Sequence, residues 1–140
     1  MDKLRIVFGT NDGENIVKHH FGDSKIFQLY ELSADGKRLL IDSKENRAKD
    51  MEEKKHGDDQ KRESVLGQLG QIDIMVAGSL SPNFVKINKT TRTVPCISKI
   101  NAIEKNLEII YKEFSTFSEL IENKVKNNII PEIPRIEEEE

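Results

Sequence analysis

Short apolar runs that end in turn-forming residues are the feature of this sequence that most restricts its fold. Residues 4–8 form the first run, and the turn formers Gly9, Asn11, Asp12 and Gly13 follow them. β-Branched and aromatic residues are frequent in these runs, which is typical of strands. The sequence predicts five strands, at residues 4–8, 26–32, 38–42, 72–77 and 93–97.

Helical patterns separate the later strands. The first predicted helix begins at Asp58 or Asp59 as its cap, passes through Val65 and Leu69, and ends at Gly70. A second, short helix is predicted from Pro82, because proline suits the first helical turn. The third has apolar residues at spacings of three and four, continuing weakly beyond residue 114, and its main apolar positions are Ile100, Ile103, Leu107, Ile110 and Phe114.

The order of these segments predicts how the strands pair. Asp35 and Gly36 indicate a tight turn, so the second and third strands form an antiparallel hairpin beside the first. A helix between two strands implies a right-handed crossover and therefore a parallel pairing. Pro95 lacks a backbone donor and favours the edge of the sheet for the last strand. We expect an α/β fold in which helices flank a mixed five-stranded sheet.

The chain length of 140 residues suits one domain with its own core. We expect a single α/β domain over residues 1–114, with a mobile polar loop at 43–62 where nearly every residue is charged or polar. A helical extension is expected at 115–130. Two prolines then end the helix, and the acidic residues beyond them predict a disordered tail over 131–140.

Composition argues against several classes of function. The net charge is −3 and lysines are interleaved with acids, so the basic surface of a nucleic-acid binder is not expected. No apolar stretch is as long as a membrane span and no signal-peptide pattern is present, so we expect a cytoplasmic protein. The single cysteine, Cys96, excludes a four-thiolate metal site. Inside an apolar strand, Cys96 is more often a small buried hydrophobe than a ligand.

Polar loops after the first and fourth strands form the candidate ligand site, because α/β sheets bind ligands at the carboxyl ends of their strands. His19, His20 and His56 are the strong neutral nitrogen donors of the chain, and imidazole suits iron, copper, nickel and zinc. Successive extended residues point apart, so we favour His20 over His19. Each histidine also has the alternative of being only a solvated or backbone-bonded turn residue.

The turn at residues 78–83 is a second candidate element of the site. Its backbone N–H groups, at the start of a helix, suit an anionic guest, although an ordinary strand-to-helix turn has the same appearance. Asp73 has no catalytic partner nearby in sequence, and no nucleophile and base are suitably arranged. Residues 4–8 contain no carboxylate, whereas a two-metal nuclease typically has one in its first strand. We therefore do not expect an enzyme.

Several short motifs occur in a fixed order: Thr10-Asn11-Asp12-Gly13, His20-Phe21-Gly22, Phe27-Gln28-Leu29-Tyr30-Glu31, His56-Gly57, Asp73-Ile74-Met75-Val76-Ala77-Gly78 and Pro82-Asn83. Together with the closing helix, they make residues 3–114 resemble the dinitrogenase iron–molybdenum cofactor biosynthesis family. The resemblance implies a three-layer, ribonuclease-H-like fold. It also implies a carrier role for iron–molybdenum or related metal–sulfur clusters, connected with nitrogen fixation, rather than catalysis. It assigns the ligand role to His20, with His56 as a weaker match.

Three features depart from the family pattern. The turn after the fourth strand reads Ser79-Leu80-Ser81 where a glycine is usual, and residues 88–92 replace a glycine-containing approach to the last strand. The helix beyond residue 114 is an extension. A divergent member that no longer binds a cluster would fit these departures.

The leading hypothesis is a non-enzymatic carrier that binds a metal–sulfur cluster transiently and exchanges it with donor or acceptor proteins. Its metal ligand is His20, assisted by His19 or His56. Three cations offset the negative charge of the cluster if they line the same binding site. They are Lys18, Lys25 and Arg92. The loop residues expected around the cluster are Asn11, Asp12, Gly22, Gly78, Pro82 and Asn83.

Two other functions remain as alternatives. An interaction or regulatory module of the same fold would recruit a protein partner through residues 43–62 or the C-terminal helix. An exposed apolar stripe would favour it, made of Phe117, Leu120, Ile121 and Val125. A ribonuclease-H-type hydrolase ranks last, because it requires at least three converging acids.

Overall fold

The computed structural model describes residues 1–46 and 71–137. The predicted helix before Gly70, most of the predicted loop at 43–62, and His56 lie outside the described residues. In chain order, the strands are β1 (Lys3–Thr10), β2 (Ile26–Ser33), β3 (Arg38–Glu45), β4 (Ile74–Ala77), β5 (Val94–Ser98) and β6 (Arg135–Ile136). The α-helices are α1 (Pro82–Thr90), α2 (Ile103–Lys112) and α3 (Phe114–Asn127), and a single 3₁₀ turn spans Phe21–Asp23.

The strands form one mixed sheet in the order β3-β2-β1-β4-β5-β6. β2 pairs antiparallel with both β1 and β3, whereas β1, β4, β5 and β6 pair in parallel. The hairpin between β2 and β3 turns at Gly36, whose φ of 92° is a conformation that glycine adopts without strain. The predicted α/β class and the antiparallel hairpin are confirmed. A parallel pairing was predicted without a named partner strand, and β4 pairs in parallel with β1.

The described part of the sheet has six strands where the sequence predicted five. Residues 131–137 belong to the segment expected to be disordered, yet Arg135 and Ile136 pair with the end of β5. The N–H groups of Ile97 and Lys99 donate to the carbonyls of Pro134 and Ile136, at 3.0 and 2.8 Å. Burial of Ile136, which is 6% exposed, adds apolar contact to these bonds.

Pro95 does not lie on the outermost strand, contrary to the expectation from its missing donor. β5 is covered by β6, but only from Ile97 onward. N–H groups two residues apart on a strand face the same side, so the nitrogen of Pro95 faces the β6 side like that of Ile97. Because β6 begins beyond this position, no ladder bond is lost at Pro95.

Apolar side chains fill both faces of the sheet. One core cluster joins the face carrying Ile6 and Phe8 to the buried sides of α2 and α3. The second joins the face carrying Val7 and Met75 to Phe84 of α1 and to Phe21 of the 3₁₀ turn. The sheet therefore has helices on both faces.

The closing helical pattern is divided into α2 and α3 at Glu113, which lies between them. Phe117 and Ile121 are 5% and 1% exposed, so most of the apolar stripe proposed as an interaction surface packs into the core. Val125 is exposed. In the part of the chain that is described, no helix is long and apolar enough to span a membrane.

Candidate functional site

The segment after β1 is held across the carboxyl ends of β1 and β4. Val17 donates its N–H to the carbonyl of Gly9 at 3.0 Å, and the N–H of Gly78 donates to the carbonyl of Val17 at 3.1 Å. Ile16 donates to the carbonyl of Asn101, at 2.8 Å, in the connection between β5 and α2. These bonds fix the start of the histidine turn, residues 18–22, at the ligand-binding edge expected from the sequence.

Asp12 closes the loop that leads into this segment. Its Oδ1 accepts the N–H groups of Glu14 and Asn15 at 2.9 and 2.8 Å, and its Oδ2 accepts Nδ2 of Asn15 at 3.1 Å. The backbone bonds from Asn15 and Glu14 stabilise the carboxylate and hold the pKa of Asp12 well below its usual value. Asp12 therefore has a structural role in shaping the loop.

Asn11 connects the same loop to the residues after the histidine turn. Its Oδ1 accepts the backbone N–H of Lys25 at 2.9 Å, which ties the loop to the start of β2. Both residues are exposed. This hydrogen bond restrains the backbone on both sides of the histidine turn.

Gly78 allows the close approach between the two predicted halves of the site. A Cβ at this position would lie 2.6 Å from the carbonyl oxygen of Val17 and 3.0 Å from Cα of Lys18. Only a residue without a side chain leaves the backbone of residues 17–18 where it is. Gly78 therefore brings the turn after β4 next to the segment that leads into His19 and His20.

His19 and His20 both lie in the turn before the 3₁₀ segment. His19 is exposed, and its Nδ1 lies 3.1 Å from the carbonyl oxygen of His20. Because a carbonyl oxygen can only accept a hydrogen bond, Nδ1 of His19 is the donor. In a neutral His19 the lone pair is therefore on Nε2, the ring nitrogen that takes no part in this bond. His20 is half-buried, and its carbonyl also accepts the N–H of Asp23 at 3.0 Å.

Phe21 anchors the histidine turn to the core. It is 2% exposed and stacks on Phe27 of β2, with ring centroids 4.9 Å apart and planes at 18°. Its ring also contacts Phe84 of α1, at a centroid distance of 5.6 Å. Because the 78–83 turn includes the first two residues of α1, these rings hold both candidate elements in one arrangement.

Asn46 and Ser24 also support the histidine turn, a role that was not predicted for either residue. Asn46 Nδ2 donates to the carbonyls of Gly22 and Ser24, each at 2.8 Å. Ser24 Oγ donates to the carbonyl of Phe21 at 2.7 Å. A single Asn or Ser in a polar stretch has no periodic pattern, so neither contact gives a signal in the sequence.

The 78–83 turn begins α1 as predicted. Ser81 caps the helix by accepting the N–H of Phe84 at 3.2 Å, and Pro82 occupies the first turn. Within the described residues, the buried Ser79 Oγ and Asn83 Oδ1 have no hydrogen-bond partner. Both atoms belong to the turn that the N–H of Gly78 joins to the segment before the histidines.

The predicted cations do not all lie together. Lys18 is exposed at the close approach to Gly78. Lys25 is also exposed, and its backbone N–H donates to Oδ1 of Asn11. Arg92 lies instead at the amino end of β5, where it forms an ion pair with Asp73 at 2.9 Å. Arg92 therefore does not meet the condition that the three cations line the same site.

Among residues 1–46 and 71–137, no group of three or more His, Cys, Asp or Glu side chains is placed to hold a metal ion. Cys96 is fully buried in the core beneath α2 and α3, and burial raises the pKa of its thiol to about 12. Both facts fit the hydrophobic role predicted for Cys96.

Comparison with known families identifies one match. The model of the dinitrogenase iron–molybdenum cofactor family matches residues 2–113, which is most of the chain. Searches of curated proteins and of solved structures gave no significant match. The match ends at the boundary between α2 and α3, so α3 and β6 lie outside it.

Proposed function

The chain belongs to the dinitrogenase iron–molybdenum cofactor family, and from this premise we propose that it is a non-enzymatic protein that binds an iron–molybdenum or related metal–sulfur cluster as cargo. Family membership relates it to nitrogenase cofactor biosynthesis. The proposed role is that of a carrier, which receives the cluster from a donor protein and releases it to an acceptor.

One observation supports this proposal above the others: the packing of the histidine turn against the turn after β4. The bond from Gly78 to Val17 joins the two elements, and Phe21 and Phe84 fix their relative position. Both elements follow neighbouring parallel strands, β1 and β4, at the edge where α/β sheets bind ligands.

The donors available at this edge suit a cargo better than a permanently held cofactor. Imidazole nitrogens bind iron well, and the turn offers two, from His20 and His19. Ser79 and Asn83 add polar groups for the outer atoms of a cluster, and the exposed Lys18 adds a positive charge. A cluster with so few protein ligands can leave without dismantling a closed coordination shell.

We propose in addition that the fold is ribonuclease-H-like, as the family resemblance implies. A mixed sheet with one antiparallel strand, β2, between β1 and β3 supports this assignment, as do helices on both faces. The proposal does not extend to nuclease chemistry. Four of the eight residues of β1 are apolar, and its sequence KLRIVFGT contains no carboxylate.

Anaerobic titration with isolated iron–molybdenum cofactor tests the proposed function. We expect saturable binding by the wild-type chain, a large loss of affinity in His20→Ala, and a smaller loss in His19→Ala. His56→Ala tests the weaker family match, and circular dichroism of each variant verifies folding. Absence of binding, or binding that His20→Ala leaves unchanged, would contradict the proposal.

The second candidate function, an interaction module, is favoured by a different surface from the one expected. Among the described strands, β3 is at the edge of the sheet, and Leu39, Leu40 and Ile41 are 61%, 45% and 37% exposed. An exposed apolar edge strand can add a strand from a protein partner. Under this alternative, Leu39→Lys would abolish partner binding and His20→Ala would have no effect.

A further inference from the structure

A cavity of about 220 Å³ lies between the C-terminal ends of α1 and α3. Residues 88–92 form one wall, and Lys124 with residues 128–130 forms the other. The first wall leads into the amino end of β5, whereas the histidine turn is at the carboxyl ends of the strands. The cavity is therefore separate from the proposed cluster site.

Among the described residues, those that line this cavity include three cations and no carboxylate. Lys89, Arg92 and Lys124 supply the positive charges. One guanidinium nitrogen of Arg92 pairs with Asp73 at 2.9 Å, but its buried Nε has no acceptor among the described residues. A concave surface with one sign of charge concentrates ions of the opposite sign, so the lining favours an anion.

Lys124 is the most buried of these cations, with 9% of its surface exposed. Its Nζ donates to the carbonyl of Thr93, and this is its one hydrogen bond to the described residues. An ammonium has three N–H donors, so two remain for a ligand. Burial lowers the pKa of Lys124 to about 8.

Asn88 adds an acceptor to the same cavity. It is 6% exposed, and its Nδ2 donates to the carbonyl of Pro131 at 2.8 Å, which fixes the orientation of the amide. Its Oδ1 is buried and has no donor within residues 1–46 and 71–137. A ligand that satisfies this oxygen must itself carry an O–H or N–H group.

We propose that this cavity binds a small phosphate-type oxyanion that carries a hydroxyl group. The anionic oxygens accept hydrogen bonds from Lys124 and from Nε of Arg92, and the hydroxyl donates to Oδ1 of Asn88. A water occupies about 30 Å³, so the cavity has room for a phosphate group with a small substituent. Lys124 and residues 128–130 lie beyond the family match, so this site is a feature added by α3.

The proposal is tested by comparing the affinities of the full chain for inorganic phosphate and for sulfate at equal ionic strength. Near pH 7 phosphate carries a hydroxyl and sulfate does not, so only phosphate can satisfy Asn88. We expect calorimetry to give saturable phosphate binding at least about tenfold tighter than sulfate binding. Amide chemical shifts should change at residues 88–92 and 124–130 and remain constant at residues 18–22.

Substitutions assign the binding to the cavity. Lys124→Met should weaken phosphate binding at least about tenfold, while Lys126→Met, an exposed lysine on the same helix, should leave it unchanged. Asn88→Ala should remove the preference for phosphate over sulfate. The proposal is overturned by equal binding of the two anions, by equal effects of the two lysine variants, or by shift changes scattered over surface lysines.

Discussion

At the scale of single residues, Gly78 determines whether the two elements of the candidate site can meet. Its N–H bonds to Val17, and its missing side chain leaves room for the backbone of Val17 and Lys18. The sequence predicted that Gly78 belongs to a ligand-binding loop. Its contact with Val17, however, joins two residues that are 61 positions apart in the sequence. Local patterns cannot reveal such a contact.

Gly78→Ala should lower the free energy of unfolding by about 1–3 kcal/mol, because the added methyl group forces residues 17–18 away from β4. Urea denaturation measures the change. Ser79→Ala is the matched control, since it adds no atoms and should change stability by less than about 0.5 kcal/mol. Equal stability of the two variants would show that the close approach is unimportant.

Cys96 should be unreactive in the native protein. The side chain is fully buried, and its raised pKa of about 12 keeps it in the thiol form at neutral pH. A thiol reagent such as dithionitrobenzoate should therefore react at the rate of unfolding, and rapidly in denaturant. Immediate stoichiometric reaction of the folded chain would contradict the assigned burial.

Lys124 should make stability depend on pH in an alkaline window. Its pKa is about 8 in the folded chain, and the ordinary pKa of a lysine is 10.5. Between these values the unfolded chain retains a proton that the folded chain has lost. The stability of wild type should consequently rise with pH relative to Lys124→Met, by at most about 3 kcal/mol. Denaturation curves of both proteins on either side of this window measure the change, and a constant difference between them would exclude it.

At the scale of secondary-structure elements, local signals predicted most of the sheet. The hairpin was predictable because Asp35 and Gly36 specify a turn between two β-rich runs, and Pro82 predicted the start of α1. β6 was not predictable. Its two residues are too short for a periodic pattern, and the neighbouring prolines and glutamates favoured disorder.

β6 should contribute measurably to stability. Removal of residues 135–140 deletes the buried Ile136, the acceptor of Lys99 N–H, and the ion pair of Lys99 with Glu137. We expect a loss of about 2–3 kcal/mol in unfolding free energy. Removal of residues 138–140 alone is the control and should change stability by less than about 0.5 kcal/mol. If the two truncations behave alike, β6 does not stabilise the fold.

At the scale of the whole molecule, the sheet separates two regions with different chemistry. The carboxyl ends of β1 and β4 present the histidine turn, and the region before β5 contains a cation-lined cavity. The sequence predicted the first region, because adjacent parallel strands bring their following loops together. It did not predict the second, because that cavity is formed by Asn88, Arg92 and Lys124, which meet only when α3 packs beside α1.

The position of Arg92 illustrates the same limit. Its charge suggested a place beside Lys18, but the strand that it precedes directs it to Asp73 at the opposite edge. Composition identifies which charges exist, whereas topology decides which of them are neighbours. The roles of His19 and His20 remain predictions that depend on direct detection of a bound cluster.

Pulsed electron paramagnetic resonance can detect the bound cluster directly. The chain is labelled with ¹⁵N-histidine and loaded with the paramagnetic iron–molybdenum cofactor. Direct ligation by His20 predicts a ¹⁵N hyperfine coupling in the wild-type protein, its loss in His20→Ala, and its retention in His19→Ala. No coupling in the loaded wild-type chain, or a coupling that persists in His20→Ala, would contradict His20 as the ligand of the cluster.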